Sequence, residues 1–529
     1  MRSFRFISIF LVIICMLAAC SQKETAQSKE EQHNPETLTL AIGGEPEAGF
    51  DPTTGWGRYG SPLFQSTLLK RDQDLEITTD LAKDYQVSGD GLHWTVQLRE
   101  DVVFSDGEEL TAEDVSFTYE TAMQAQSVVD LSNLKKIEVK SEDEVVFHLE
   151  KPQSTFITTL LTLGIVPKHA YGNDYAENPI GTGPYQMVEW RKGEQLIVEK
   201  NPNYYGEEPE FKRLTFLFIE EDQALAAAKT GIVDVLSIPA TLAEQNISGM
   251  NRLSFKSVDN RGVMLPIPEP YENEAGERVG NEVTSDLYIR QAMNYAVDRQ
   301  AIVDGVLNGE GTKSFSSVDG LPWGNEDAVV EYDVEKAKQL MQEGGWKKGT
   351  DGIYQKDEIK ASFTLYYPTG DQLRQSLSLV FAEMMNEFGI EVKTEGKSWN
   401  DLEKVMHANP VMMGWGSHDP VELYYLFSSK MQGVEYYNSN YYANQTIDQY
   451  FQKAIQETSQ EKANEYWKKI QWDGKTGVSA KGDAPWVWLV NIHHIYYVKE
   501  GLDIGDQKVQ PHGHGWPITD FITEWKWKN

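Results

Sequence analysis

From Leu92 to Leu98 the side chains alternate, with Trp94, Val96 and Leu98 on one face and His93, Thr95 and Gln97 on the other. Period-two alternation of this kind belongs to a strand with one buried face. Glu144–Leu149 repeats it with Val145, Phe147 and Leu149 turned inward, and Thr215–Ile219 reads as a further strand. The second half of the chain changes period. Ser285–Val306 sets Leu287, Ala292, Met293, Ala296, Val297 and Val303 at helical spacing. Asp333 is placed to cap a helix that ends at Gly344-Gly345, and Gln372–Phe388 forms another that ends at Gly389. Strand and helix signals mixed in this irregular way predict an α/β protein. The turn-rich segment Pro266–Asn281 reads as an exposed loop or linker, and a lobe boundary is expected near it.

The termini and charge narrow the possibilities further. Arg2 and Arg5 precede an apolar run, Phe6–Met16, which is short for a membrane span and suits a secretion signal. Leu17-Ala18-Ala19-Cys20 then looks like a bacterial lipobox, so residues 1–20 are expected to be a signal peptide with Cys20 as the lipidated first residue of the mature chain. Cys15, the only other cysteine, leaves with the leader, so neither a disulfide framework nor a cysteine zinc site is expected. Residues 21–36 lack large apolar side chains and read as a tether with a mean span of roughly 20 Å. The formal charge of −33 becomes −35 once Arg2 and Arg5 are removed. Such acidity excludes a basic nucleic-acid footprint and a polybasic membrane surface.

Catalytic signatures are missing. Gly181-Thr182-Gly183 runs into Pro184 rather than into a phosphate loop, and neither a G-x-S-x-G elbow nor an H-E-x-x-H pair occurs. No enzymatic activity is expected.

Six motifs in order carry a family resemblance. They are Leu40–Pro46 with Gly49-Phe50-Asp51-Pro52, Ser88–Arg99 with Val103–Gly107, Gly181–Tyr185, Asn201–Tyr205, Ile289–Arg299, and Tyr332–Trp346. Together they resemble the bacterial extracytoplasmic solute-binding proteins of family 5, the peptide and nickel class that serves ABC importers. The resemblance implies a two-lobed periplasmic-binding-protein fold (type II, cluster C-like) with an extra subdomain in the first lobe. Lobe I would span 37–263 and be completed by about 493–529, and lobe II would span 264–492. Val487–Val498 would be the returning hinge strand. The partners implied are ABC permease and ATPase subunits, a small-molecule or peptide ligand, and the membrane through Cys20. A monomer without intrinsic cofactor is expected.

Many peptide-binding members of this family hold the peptide amine with an Asp three residues after a Trp. Here the segment reads Trp415-Gly416-Ser417-His418-Asp419-Pro420, with His418 at that place. Asp419 remains an alternative amine anchor, whereas His418 suits a chelated metal as in the nickel branch. Four of the ten histidines, His493, His494, His512 and His514, fall within the last 40 residues, and imidazole suits Ni²⁺. In one extended strand His493 and His494 would face opposite sides. Arg58 and Tyr59 on a glycine-rich loop, and Arg261 near the first crossing, are candidates for a ligand carboxylate, and a structural salt bridge is the alternative for each arginine. The leading expectation is transport of nickel as a small chelate, and the alternative is a short peptide.

Overall fold

The computed structural model describes residues 35–60, 62–125, 129–513 and 515–528. The expected signal peptide, Cys20 and most of the expected tether therefore lie outside the described residues, as does His514. Among the described residues no helix is long and apolar enough to cross a membrane.

Two large mixed sheets organise the chain. The first has the order Met250–Phe255, His494–Lys499, Val235–Ile238, Thr37–Ala41, Arg213–Leu217, Gln195–Lys200 and Tyr185–Arg191. The second has the order Gly311–Lys313, Trp486–Ile492, Asn260–Met264, Val411–Met413, Ser362–Pro368 and Glu391–Lys397. A separate four-stranded antiparallel sheet, Ala82–Val87, His93–Leu98, Glu144–Leu149 and Leu134–Ser141, sits in the N-terminal half. Its alternation works as predicted: Trp94, Val96, Leu98, Val145, Phe147 and Leu149 are all buried and pack on the helix Ala112–Ala125 through Val115 and Tyr119.

The chain passes between the two large sheets twice. Met250–Phe255 lies in the first and Asn260–Met264 in the second, and the return runs from Trp486–Ile492 to His494–Lys499. The expected single strand Val487–Val498 is thus two strands broken at His493. The segment Pro266–Asn281 comes after the first crossing. It is no linker but a hairpin, Tyr271-Glu272 on Arg278-Val279, tied down where Ile267 donates to the Asn440 carbonyl (3.1 Å) and Gly280 to that of His407 (2.8 Å).

The helix expected over Ser285–Val306 is likewise two, Leu287–Ala296 and Arg299–Val306. Asp298 caps the second by accepting from the Ala301 amide, which forces Val297 into an extended conformation. The break lets Arg299 turn inward. It is 3% exposed and donates to the carbonyls of Trp488 (2.8 Å), Ser314 (2.9 Å) and Asn294 (2.9 Å). Burial lowers its pKa to about 10, so it stays charged. Arg290, on the preceding helix, similarly donates to the carbonyls of Thr284, Ser285 and Asp483. The motif Ile289–Arg299 therefore fastens its helices to the strand Trp486–Ile492 and to neighbouring loops, where buried guanidinium groups satisfy backbone carbonyls.

The motif Gly181-Thr182-Gly183 has an equally local reason. A Cβ on either glycine would collide with the backbone of Leu63–Phe64, and the Gly183 amide donates to the Phe64 carbonyl at 2.8 Å. That contact fixes the segment that follows the loop carrying Arg58. The helices Val334–Glu343, capped by Asp333, and Gln372–Phe388, ended by Gly389 at φ 115°, match expectation.

Replacing Arg299 by Met should leave three buried carbonyls without a donor and lower unfolding free energy by about 3 kcal/mol or more, read by urea denaturation. A change below about 1 kcal/mol would contradict the fastening role.

Candidate functional site

Where the chain crosses between the sheets, Asp259 gathers three cationic or protonatable partners. It is 2% exposed and takes an ion pair from Arg261. His494 Nε2 and His512 Nε2 each lie 3.4 Å from its carboxylate oxygens. Burial alone would push the Asp259 carboxyl up, but Arg261, His512 and His494 outweigh it and hold it well below the usual carboxylate range. Gln510 orients His494 by contacting Nδ1 at 2.6 Å, and the Val258 amide donates to the Gln510 carbonyl at 2.9 Å.

His493 faces a different group. Its Nδ1 lies 3.0 Å from the Ser254 hydroxyl and 3.8 Å from Glu310. Glu310 in turn holds Arg252 (2.5 Å) and Ser254 (2.5 Å), so it joins the outermost strand of the first sheet to the turn before Gly311–Lys313 of the second. His493 and His494 do point to opposite sides, each toward a carboxylate. Among the described residues no group of three or more His, Cys, Asp or Glu side chains forms a metal-ligand set.

Beside this hinge lies a cavity of about 540 Å³ with walls from both halves of the chain. One wall is the loop Gly55–Gly60 with Arg58 and Tyr59, together with the helix Phe156–Thr162. The other is the segment Trp415–Tyr425 with Tyr437, and the C-terminal stretch adds Lys508 and Pro511. The second wall is held to the crossing strand: the Asn260 amide donates to the Trp415 carbonyl (2.9 Å), and the Trp415 amide donates to Asn260 Oδ1 (3.0 Å). Gly416 has φ 152°, and a Cβ there would meet the Val258 carbonyl, so the Trp-Gly-Ser sequence is a requirement of close backbone approach. Between the lining residues Gln153 and Thr155, the Ser154 amide and hydroxyl donate to the carbonyls of Ile455 (2.7 Å) and Ala454 (2.8 Å).

Trp415, Tyr437 and Tyr425 form a continuous stack, with centroid distances of 5.3 and 4.8 Å. Arg58 lies 5.1 Å from the Tyr59 ring centroid and hydrogen-bonds Tyr437. Among the described residues it makes no ion pair. Arg71 reaches the His418 carbonyl at 3.3 Å.

Burial governs the protonation of the second wall. It pushes His418 well below its ordinary value, helped by the charges of Lys508 and Arg71, so the imidazole is neutral. His418 Nε2 is buried and has no hydrogen-bond partner. Burial pushes Asp419 up to about 6 against the Val421 amide, Arg71 and Arg58. Glu422, 7% exposed, is pushed up to about 8 by burial and by Asp419, against the Gly416 amide and Arg58.

The sequence-predicted residues thus fall into two places. Arg58, Tyr59, Trp415, His418 and Asp419 line the cavity. Arg261, His493, His494 and His512 are engaged at the hinge. For Arg261 the salt bridge is the outcome. Sequence reasoning missed Glu422, Asp259 and Arg71. For Glu422 the available signal was its place two residues after the Asp-Pro pair.

Comparison with known proteins agrees with this architecture. The family described as "Bacterial extracellular solute-binding proteins, family 5 Middle" matches residues 76–435. Protein XP55 of Streptomyces lividans is 34% identical over 486 residues, covering 88% of this chain and 86% of that one. The crystal structure of NikZ from Campylobacter jejuni in complex with Ni(L-His) superposes with a TM-score of 0.77 at 26% identity, covering 93% of this chain and all of that one. The oligopeptide-binding protein AppA of Bacillus subtilis in complex with a nonapeptide gives 0.68 at 26% identity, covering 94% and 100%. Two mixed sheets joined by crossing strands, with a lined cavity beside the hinge, are the two-lobed periplasmic-binding-protein architecture of these relatives. The chain belongs to the family 5 bacterial extracellular solute-binding proteins, the substrate-binding components of ABC transporters.

Proposed function

We propose that this protein captures nickel as a small amino-acid chelate in the 540 Å³ cavity and presents it to an ABC permease. Residues 37–263 with about 493–529 act as one closing unit, and 264–492 act as the other. The observation that carries this reading is His418, a neutral imidazole in the cavity wall with Nε2 unpartnered. Neutral imidazole is a good ligand for Ni²⁺, whereas a protonated one repels it. A single protein ligand cannot fill nickel's coordination sphere, so the remaining donors come from the chelator. Arg58, without an ion pair, suits a carboxylate of that chelator. Likeness to the Ni(L-His) complex supports the same ligand class.

The histidines of the hinge have a different part in this reading. His494 and His512 brace Asp259 beside Arg261, and His493 meets Glu310 beside Arg252, so each crossing is held by an arginine–carboxylate pair with imidazole contacts around it. Cys20 carries the lipid that keeps the mature, monomeric protein at the outer face of the cell membrane, and residues 21–36 give it reach. Closure, followed by recognition of the closed form, is the whole cycle, and no bond of the solute is made or broken.

A short peptide is the second reading. The Trp415–Tyr437–Tyr425 stack favours it as a surface for a peptide side chain, with Asp419 as the amine anchor. Likeness to the nonapeptide complex supports it.

Calorimetric titration of the ligand-free protein separates the two. Saturable binding is expected for NiCl₂ with excess L-histidine and not for a pool of di- to pentapeptides. His418→Ala should weaken nickel binding by roughly tenfold or more. Saturable peptide binding with no response to nickel in either form would overturn the leading reading.

Replacing Asp259 by Asn should strand the buried Arg261 charge and cost about 3–5 kcal/mol of stability. Because the Asp259 carboxyl is held low, its contribution is complete above the unfolded value near pH 4 and fades as pH falls through the folded value. The gap between wild type and Asp259→Asn in unfolding free energy should therefore persist through neutral pH and narrow progressively only once pH falls below the unfolded value near 4. A gap that closes instead between pH 6 and 7 would assign the stability to the histidines.

A further inference from the structure

Glu422 is a buried carboxyl with no opposite charge in contact. Its Oε2 accepts from the Gly416 amide at 3.1 Å, and its Oε1 is buried with no hydrogen-bond partner. Burying an unpaired carboxylate in this way costs several kcal/mol, so such a group is kept neutral or finds a partner from outside. The cavity holds a complementary anomaly in Arg58, which lines it without an ion pair among the described residues. The two sit close enough for Arg58 to oppose the rise in the Glu422 pKa, yet Glu422 still remains protonated up to about pH 8. The pocket therefore holds a guanidinium that makes no ion pair among the described residues, and beside it a carboxyl that carries a proton to donate.

We propose that Arg58 and Glu422 together form an anion subsite, in which a carboxylate of the solute accepts hydrogen bonds from the guanidinium and from the carboxylic acid of Glu422. The subsite selects acids over their amides, and alkali releases them. This rests on the solute-capture reading above but not on the identity of the metal.

Several other charged groups face the same space. Tyr59 and Tyr437 flank Arg58, and Tyr425 stacks behind Tyr437. Burial pushes the hydroxyls of Tyr59 and Tyr425 up, so they remain neutral donors. Arg71 faces Asp419, while Lys508 is paired with Asp520 at 2.6 Å. Asp130 faces Tyr425 from the first half of the chain. Asp419, near 6, ionises before Glu422 does. Above about pH 8 the Glu422 proton is lost, the donor becomes a second negative charge, and a bound carboxylate is repelled.

The test uses calorimetric titration of the purified protein with L-histidine and trialanine, and with L-histidinamide and trialanine amide, each with and without NiCl₂, at pH 7 and pH 9. At least one acid should bind at pH 7 more tightly than its amide by roughly thirtyfold or more. Arg58→Gln should abolish that preference. Glu422→Gln, which keeps a donor and cannot ionise, should retain the acid at both pH values, whereas the wild type loses it at pH 9. Because Gln replaces an already neutral group, this variant keeps its fold and also reports on the case in which Arg58→Gln does not fold. Amides binding as well as acids, one shared pH profile for wild type and Glu422→Gln, or no binding of either acid would each overturn the subsite. Acid binding that is indifferent to NiCl₂ supports the subsite while removing the nickel reading.

Discussion

The carboxylate of Asp259 is the interaction on which the rest of the molecule depends. It stands where the chain leaves the first sheet for the second, and three cationic or protonatable side chains converge on it. Arg261 comes from the outgoing strand, His494 from the returning strand, and His512 from the C-terminal stretch that borders the cavity. A single buried charge thus ties both crossings to the last segment of the chain. Asn260, the next residue, exchanges two hydrogen bonds with Trp415 and so sets the position of the wall that bears His418, Asp419 and Glu422. Hinge geometry and cavity geometry are one construction.

Charge placement in the cavity follows from that construction. The wall beyond Trp415 is packed tightly enough that His418, Asp419 and Glu422 all shift toward their neutral forms. The opposite wall brings Arg58, and the edges bring Arg71 and Lys508. At neutral pH Asp419 is ionised opposite Arg71 and Lys508 is paired with Asp520, while Glu422 stays protonated and Arg58 makes no ion pair among the described residues. The overall acidity says little about the ligand, because the cavity sets its charges locally, with Glu422 discharged by burial and other lining carboxyls matched to cations.

Much of the fold was legible in the sequence. Alternation at 92–98 and 144–149 placed two strands and their buried faces correctly, and the glycine at 389 marked a helix end. Two differences between sequence and structure had specific causes. Ser285–Val306 kept its helical apolar spacing through Val297-Asp298, and only the capping power of Asp298 revealed the break. Pro266–Asn281 read as an exposed loop or a linker, and it is an exposed hairpin; a hairpin also needs turn residues, so composition does not distinguish it from a linker. Family motifs were legible as a signature while their physical work was not. Gly181 and Gly183 serve close backbone approach, and Arg290 and Arg299 satisfy buried carbonyls. The candidate site was legible in part. Trp415, His418, Asp419, Arg58 and Tyr59 meet at the cavity, but the histidine concentration near the C-terminus served Asp259 and Glu310. Glu422 had only its place two residues after the Asp-Pro pair to mark it, and one carboxyl among many shows its character only through burial.

The central claim is that the cavity takes a small carboxylate-bearing chelate of nickel. The most direct test is native mass spectrometry, with metal analysis, of protein purified from its host without unfolding. The account predicts a bound increment made of nickel and one or more small organic acids. A bound peptide free of metal, or an increment without any carboxylate, would contradict it.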